Sequence, residues 1–375
     1  MKFIVSSTGL LSHLQSVSRV INSKNTLAIL DNFLFDIDGN KLTITASDIE
    51  TTLITSLDIE NEGGNGNVAI ASKLLLDSLS GFSAEQPLTF DINDDTLTVK
   101  VTSTFGEYNF VGVSGDEYPQ LPEAAADAQS LTVPVSTLLN GVNRTLFATA
   151  NDELRPVMNG ILFDFKTDGL TFVASDAHKL VRYKIADIKA ETDSSFILAK
   201  KPANALKTIL PKEAGDVSIQ FDTKNAVFTL SNYKMVCRQV EGRFPNYNAV
   251  IPQNNPHKAI VDRVLLISSL KRVANFANQA SNLIKLQIKN NAIVISAQDI
   301  DFSISAEERV TCQYDSEPIN IGFKSTFLID ILANIDSPEV IVELADATRA
   351  GLFLPFENEE NEDLLMLLMP IMLND

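Results

Sequence analysis

The chain has 375 residues, 45% hydrophobic and 21% charged, with 48 acidic against 30 basic side chains and a formal charge of −18. That balance excludes a basic coat or patch binder unless the bases are segregated, because phosphate neutralisation needs clustered Lys and Arg. The length provides for two or three domains and the apolar fraction for real cores, which excludes wholesale disorder.

The N-terminal MKFIVSSTGLLSHL has one Lys and a short apolar run but no small-residue cleavage site, so it does not read as a signal peptide. Residues 10–22 (LLSHLQSVSRVIN) place apolar side chains at three- and four-residue intervals, as an amphipathic helix requires. An apolar strand follows at 42–50 (LTITASDIE), with Asp48 near its end. No G-x-x-x-x-G-K-[ST] loop is present, and GGNGN at 63–67 reads as a hairpin tip. A second helix is predicted over 71–82 (ASKLLLDSLSGF), and the Pro-punctuated connector GDEYPQLP at 115–122 closes the series.

The series then recurs twice. Helical patterns appear at 138–150 and 265–278, strands at 170–178 (LTFVASDAH) and 293–301 (IVISAQDID), and second helices at 199–211 and 322–335. A connector, EGRFPNYNAVIP, stands at 241–252. Asp48, Asp176 and Asp299 are 128 and 123 residues apart, and Lys73, Lys201 and Lys324 repeat the same two spacings. The chain is a threefold repeat, with domains expected at 1–125, 126–252 and 253–375. Short strands separated by Asn, Asp and Gly turns read as antiparallel hairpins. Each repeat is therefore an α+β module, two helices on one face of antiparallel sheets, and six such half-units suggest a curved or ring-like array. The acidic ENEENED at 357–363 reads as a solvated loop, and the apolar LLMLLMPIML at 364–373 is half the length of a membrane span.

The six predicted helical segments hold nine bases and two acids, a net charge of +7, which leaves −25 on the remainder. Ordinary solvent-facing helices mix Glu with Lys. Equivalent positions in a pseudo-symmetric array point toward one axis, so the ligand implied is a polyanion on that axis.

Motifs for chemistry are absent. His13, His178 and His257 have no metal-ligand spacing, no G-x-S-x-G elbow occurs, and Cys237 and Cys312 fit a reduced cytoplasmic chain without disulfide or zinc. No catalytic residue, metal or cofactor is expected. The recurring Asp at a strand end reads as a turn-shaping residue. The rival readings are a metal-dependent DNA-processing enzyme built on those three Asp residues, and a β-rich repeat protein with no DNA role.

The segments TLAILDNFLF (26–35), RPVMNGILF (155–163), ASDAHKL (174–180), EGRFPNY (241–247), GFKSTFLIDIL (322–332) and MPIML (369–373), in this order and spacing, resemble the bacterial DNA polymerase III beta subunit family, the sliding clamps. The resemblance implies a head-to-tail homodimer closing a ring, with helices lining a hole for double-stranded DNA and sheets forming the rim. The bases expected to line that hole are Lys24, Lys73, Arg144, Lys200, Lys201, Lys271 and Lys324. The resemblance further implies a hydrophobic pocket for short peptides of the replicative polymerase alpha subunit, the clamp loader, and repair polymerases, ligase and mismatch-repair proteins. Carried over, that pocket comprises Arg155, Met158, Ser175, Ala177, His178, Lys179, Leu180, Pro245, Val250, Leu367, Met369, Pro370 and Ile371. The family's usual Thr-Asp-Gly-His-Arg-Leu reads Ser175 to Leu180 here, and its terminal Met-Pro-Met-Arg-Leu reads Met369 to Leu373, so Lys179 and Met372 stand where arginines are usual. Lys does not reproduce the planar fork of Arg.

Overall fold

The structure, a computed structural model, describes every residue except Ser83, residues 121–124, 126, 127, 374 and 375. Leu121 and Pro122 of the first predicted connector lie outside the described residues, as does the predicted boundary at 126. Alternation marks the strands that cover a core with one face only. In Asn32–Asp38, Phe33, Phe35 and Ile37 are buried while Asp36 and Asp38 face out, the period of two that lets a strand cover one core face.

Six helices form among the described residues: α1 (Ser7–Val17), α2 (Ser72–Ser80), α3 (Val135–Thr145), α4 (Lys200–Ile209), α5 (Arg263–Ala274) and α6 (Ser325–Ala333). Most begin or end a few residues away from the apolar stretches that announce them. Helix α1 starts before its first leucine because the Ser6 hydroxyl accepts the Gly9 N–H at 3.2 Å, a cap that holds a polar first turn. Several helices end early because the chain tightens into 3-10 turns, at Ser18–Val20, Leu146–Ala148 and Leu210–Lys212, the last containing Pro211. As folded, the six helices carry eight bases and two acids.

The chain folds into two compact units, Met1–Leu139 with Lys201–Gln239, and Asn140–Lys200 with Val240–Asp375. These units and the three sequence repeats are different partitions of one chain, and the sheets explain why. In the first unit a nine-stranded sheet joins the strand Thr51–Asp58 antiparallel to Tyr233–Arg238, with Thr55 opposite Tyr233 and Thr51 opposite Cys237. In the second a twelve-stranded sheet joins Lys179–Ile185 to Glu362–Leu368, with Lys179 opposite Leu368 and Ile185 opposite Glu362. The pattern is the same both times. The strand that follows the Asp turn of one repeat pairs with the last strand of the next repeat. The first unit also holds a five-stranded sheet, ordered Glu60–Gly63, Lys2–Ser6, Pro87–Ile92, Thr98–Thr102, Glu107–Val111.

The cores are dominated by fully buried Phe side chains, among them Phe33, Phe35 and Phe90 in the first unit and Phe163, Phe172 and Phe353 in the second. The two cysteines are free. Burial pushes the Cys237 thiol up to about 12 and the half-buried Cys312 thiol up to about 11, so neither is a ready thiolate.

Candidate functional site

The second unit gathers an apolar floor from segments far apart in sequence. Val173, Leu180, Phe244, Tyr247, Leu352, Leu365 and Leu367 form one buried cluster, with Val157, Val240 and Leu354 packed partly against it. Leu180 and Leu367 stand directly opposite each other in the antiparallel pair. The phenol of Tyr247 donates to Asp164 Oδ2 at 2.9 Å, which anchors the ring and leaves its face to the cluster.

The residues around this floor come from two tight pieces of backbone. In the first, Asp176 Oδ1 accepts the N–H groups of His178 (2.9 Å) and Lys179 (2.8 Å), and the Ser175 hydroxyl donates to the Lys179 carbonyl at 2.9 Å. This turn drives Ala177 to φ 73°, the left-handed region in which a side chain costs about 1–2 kcal/mol and glycine is at ease. In the second, the Met369 N–H donates to the His178 carbonyl and the Ile371 N–H to the Gly322 carbonyl, both at 2.8 Å. The C-terminal segment is thereby tied to both the Asp176 turn and the strand leading into α6. A Cβ on Gly322 would lie 2.6 Å from the Ile371 oxygen, so Gly322→Ala should push the Met369 to Ile371 segment outward. We expect it to weaken binding of a short apolar peptide at the expected pocket severalfold, measured by fluorescence anisotropy.

Side-chain chemistry grades across the site. Met158, Ser175, Leu180 and Leu367 are buried, Pro370 and Ile371 are half-buried, and Arg155, Ala177, His178, Pro245, Val250 and Met369 are exposed. Arg155 bonds Asp152 at 2.8 Å. Lys179 turns inward: its ammonium lies 2.9 Å from Asp176 and 4.3 Å from the centre of the Phe327 ring, with the side chain only 6% exposed. The charge expected at the pocket rim is therefore neutralised below it. Phe327 also carries Lys324, at 4.6 Å, and lies 5.8 Å from the His178 ring. Sequence reasoning missed Val173 and Phe327, and placed Phe244 and Tyr247 only in a connector. The signal for the last two was present, since they are the aromatic residues of EGRFPNY.

The expected hole-lining bases divide. Lys24, Lys73 and Lys271 are exposed, as is Lys200. Arg144 is not presented in the same way: its side chain is 15% exposed, its guanidinium is 3.6 Å from Asp336 and 3.9 Å from Glu362, and it sits 5.1 Å from the centre of the Tyr183 ring. Lys201 is engaged likewise, donating to Asp48 Oδ2, the Val20 carbonyl and Asn22 Oδ1. Partners within the fold satisfy both charges. Arg272, a further base on α5, is bonded to Glu308 and holds that carboxyl down at about 2.

The recurring aspartates shape turns. Asp48 Oδ1 accepts the Thr51 N–H, Asp176 Oδ1 those of His178 and Lys179, and Asp299 Oδ1 those of Asp301 and Phe302. Among the described residues no three His, Cys, Asp or Glu side chains converge as a metal site would require.

Three family models match in succession: the DNA polymerase III beta subunit N-terminal domain at residues 1–122, its central domain at 132–246 and its C-terminal domain at 248–372. The chain belongs to the DNA polymerase III beta subunit family. A beta sliding clamp of Synechococcus elongatus is 29% identical, and the alignment covers 100% of both chains. The crystal structure of the DNA polymerase III subunit beta from Pseudomonas aeruginosa superposes with a TM-score of 0.92 at 25% identity, again over 100% of both chains. The Bartonella birtlesii sliding clamp, solved bound to griselimycin, gives 0.91 at 26% over the same full lengths.

As a member of this family the chain is a DNA sliding clamp, a processivity factor of DNA replication, built from three clamp domains. Among the described residues, no helix of this clamp is long and apolar enough to cross a membrane.

Proposed function

We propose that two copies of this clamp close head to tail into a ring around duplex DNA and tether the replicative polymerase to it, with no catalysis of their own. The observation that carries this reading is the unfinished pattern of sheet pairing. Two of the three post-Asp strands are paired with the last strand of the next repeat. The third, Ile304–Gln313, pairs with Ala292–Asp299 along one edge, while its other edge meets a strand only at Cys312 and Gln313. At the far end of the series, Glu107–Val111 is the outermost strand of its sheet. Unpaired edges are hazardous unless a partner covers them. Ile300, Phe302 and Ile304 stand exposed at one, and Phe105, Tyr108 and Val111 at the other. One copy supplies each half of a contact that is different on its two sides, and two such contacts close a dimer.

The domains of this reading are 1–125, 126–252 and 253–375, in line with the three family-model matches. Lys24, Lys200 and Lys271 are the leading candidates to meet phosphate, and such contacts carry no sequence readout. The floor of Leu180, Phe244, Tyr247 and Leu367 with its Met369 and Pro370 rim receives short apolar peptides from the polymerase alpha subunit, the clamp loader, and repair polymerases, ligase and mismatch-repair proteins. Met makes such a surface adaptable to related ligands. Tethering raises the effective concentration of polymerase at the primer end, so processivity needs no tight grip on DNA. The place of action is the cytoplasm.

The test is retention after loading. A ring should stay on nicked circular DNA for minutes in high salt and leave when the circle is linearised. Equal, salt-labile retention on both forms would sink the topological reading.

A further inference from the structure

One end of the second unit carries apolar side chains that the fold does not use. Helix α5 opens with Arg263, Val264 and Leu265, capped by the Asp262 carboxylate, which accepts the Leu265 N–H at 2.8 Å. Val264 and Leu265 are 58% and 56% exposed. The internal repeat supplies a control. At the same two steps α1 places Thr8 and Gly9, and α3 places Ser136 and Thr137, so nothing in this corner of the module requires an apolar pair. The residue that follows, Leu10, Leu138 or Leu266, is buried in all three helices.

A third apolar side chain joins the pair. The strand Glu339–Leu344 runs antiparallel to His257–Asp262 with Glu339 opposite Asp262, and the Phe356 N–H donates to the Glu339 carbonyl at 3.1 Å. Phe356, 44% exposed, is thereby held at the end of the sheet from which α5 starts. It begins the connection 356–361 between Gly351–Pro355 and Glu362–Leu368, twice as long as the corresponding connection 230–232 between Asn225–Thr229 and Tyr233–Arg238 in the second repeat. The extra length brings Glu357, Glu359 and Glu360, all exposed and bonded to no base among the described residues. The two acids that follow are engaged, Glu362 with Arg144 and Asp363 with Arg182. Arg263 does not offset the charge on the patch by pairing with these acids, since its guanidinium donates to the Ser337 and Leu332 carbonyls. The acidic run is anchored at one end and displays its charge beside an apolar patch at the other.

Charge selects the occupant. Free acids beside the patch repel DNA, and what fits is an amphipathic helix with apolar residues at three- and four-residue spacing and Lys or Arg beside them. We propose that Val264, Leu265 and Phe356 dock such a basic helix of a partner protein, with Glu357, Glu359 and Glu360 meeting its bases. This surface is separate from the peptide pocket, which lies at the other end of the Glu362–Leu368 strand, where Leu367 joins its floor. The probe is a labelled amphipathic helix of about 18 residues made of Leu and Lys, titrated into the full-length protein beside a Leu and Glu counterpart and a scrambled Leu and Lys peptide. The amphipathic basic peptide should bind best. Val264→Ser with Leu265→Thr, which copies the second repeat, should weaken it about tenfold or more. Glu357→Gln, Glu359→Gln and Glu360→Gln together should weaken it severalfold and flatten its dependence on salt. Met369→Ala with Pro370→Ala, at the pocket, should leave it unchanged. All the substituted side chains at the patch are exposed, so these variants keep the fold. No binding of the amphipathic basic peptide, equal binding of the scrambled one, full binding by the Val264→Ser, Leu265→Thr variant, or loss of binding in the pocket variant would each overturn the proposal. So would sedimentation in which the wild-type protein forms a larger species than the Val264→Ser, Leu265→Thr variant, because the patch would then belong to a second copy.

Discussion

Truncating Met369 and Pro370 together to Ala should weaken binding of a polymerase C-terminal peptide by about a hundredfold, with the melting temperature unchanged. Met369 is 43% exposed and Pro370 half-buried, so neither closes a core that the fold depends on. What they offer is apolar surface to a ligand. Covering a Met side chain is worth about 2 kcal/mol and a Pro ring about 1 kcal/mol, and tenfold in affinity is about 1.4 kcal/mol. The backbone bond from Met369 N–H to the His178 carbonyl survives both changes, so the segment keeps its place and the loss reports contact alone. Fluorescence anisotropy with the labelled peptide gives the affinity and calorimetry the stability. Unchanged affinity would move the peptide site elsewhere on the chain.

Replacing Lys201 with Met should lower the first unfolding transition by about 8 °C. The substitution keeps the stem and removes the ammonium that meets Asp48 Oδ2, the Val20 carbonyl and Asn22 Oδ1. Asp48, 5% exposed in its side chain, is left as a buried carboxylate without its cation. Breaking a buried pair from one side costs about 3–5 kcal/mol. With Lys201 itself one-third exposed, the lower end, about 3 kcal/mol, applies. A unit of this size shifts by about 2–4 °C per kcal/mol. Adding Asp48→Asn to Lys201→Met should recover much of the loss, because the stranded charge is gone. If the double variant melts no higher than Lys201→Met alone, the penalty lies in lost packing and not in the unpaired carboxylate.

Local chemistry was legible in the sequence, and long-range partnership was not. The Asp of each repeat could be read as a turn former because its partners lie two or three residues away, as at Asp176 with His178 and Lys179. Helices were visible from apolar spacing, but their ends were set by polar detail, such as the Ser6 cap, that no apolar pattern reports. Lys201 looked like an outward base because its acid partner stands 153 residues upstream. The partners of Arg144, Asp336 and Glu362, are just as far along the chain. In the proposed peptide pocket, resemblance supplied the rim and, in the floor, Leu180 and Leu367, and the structure supplied the rest of the floor. Phe244, Tyr247 and Leu352 converge only once the Lys179–Ile185 and Glu362–Leu368 strands have met.

That meeting sets a timetable for the nascent chain. Thr51–Asp58 leaves the ribosome almost two hundred residues before Tyr233–Arg238, the strand that covers its second edge, and Lys179–Ile185 waits as long for Glu362–Leu368. At about 5–20 residues per second, each edge stays open for roughly 10–40 s during synthesis. The second of them closes only once Glu362–Leu368 has been made. A message truncated, or a ribosome stalled, between residues 240 and 361 would thus release a chain whose first unit is complete and whose second presents the bare edge of Lys179–Ile185 to whatever it meets first.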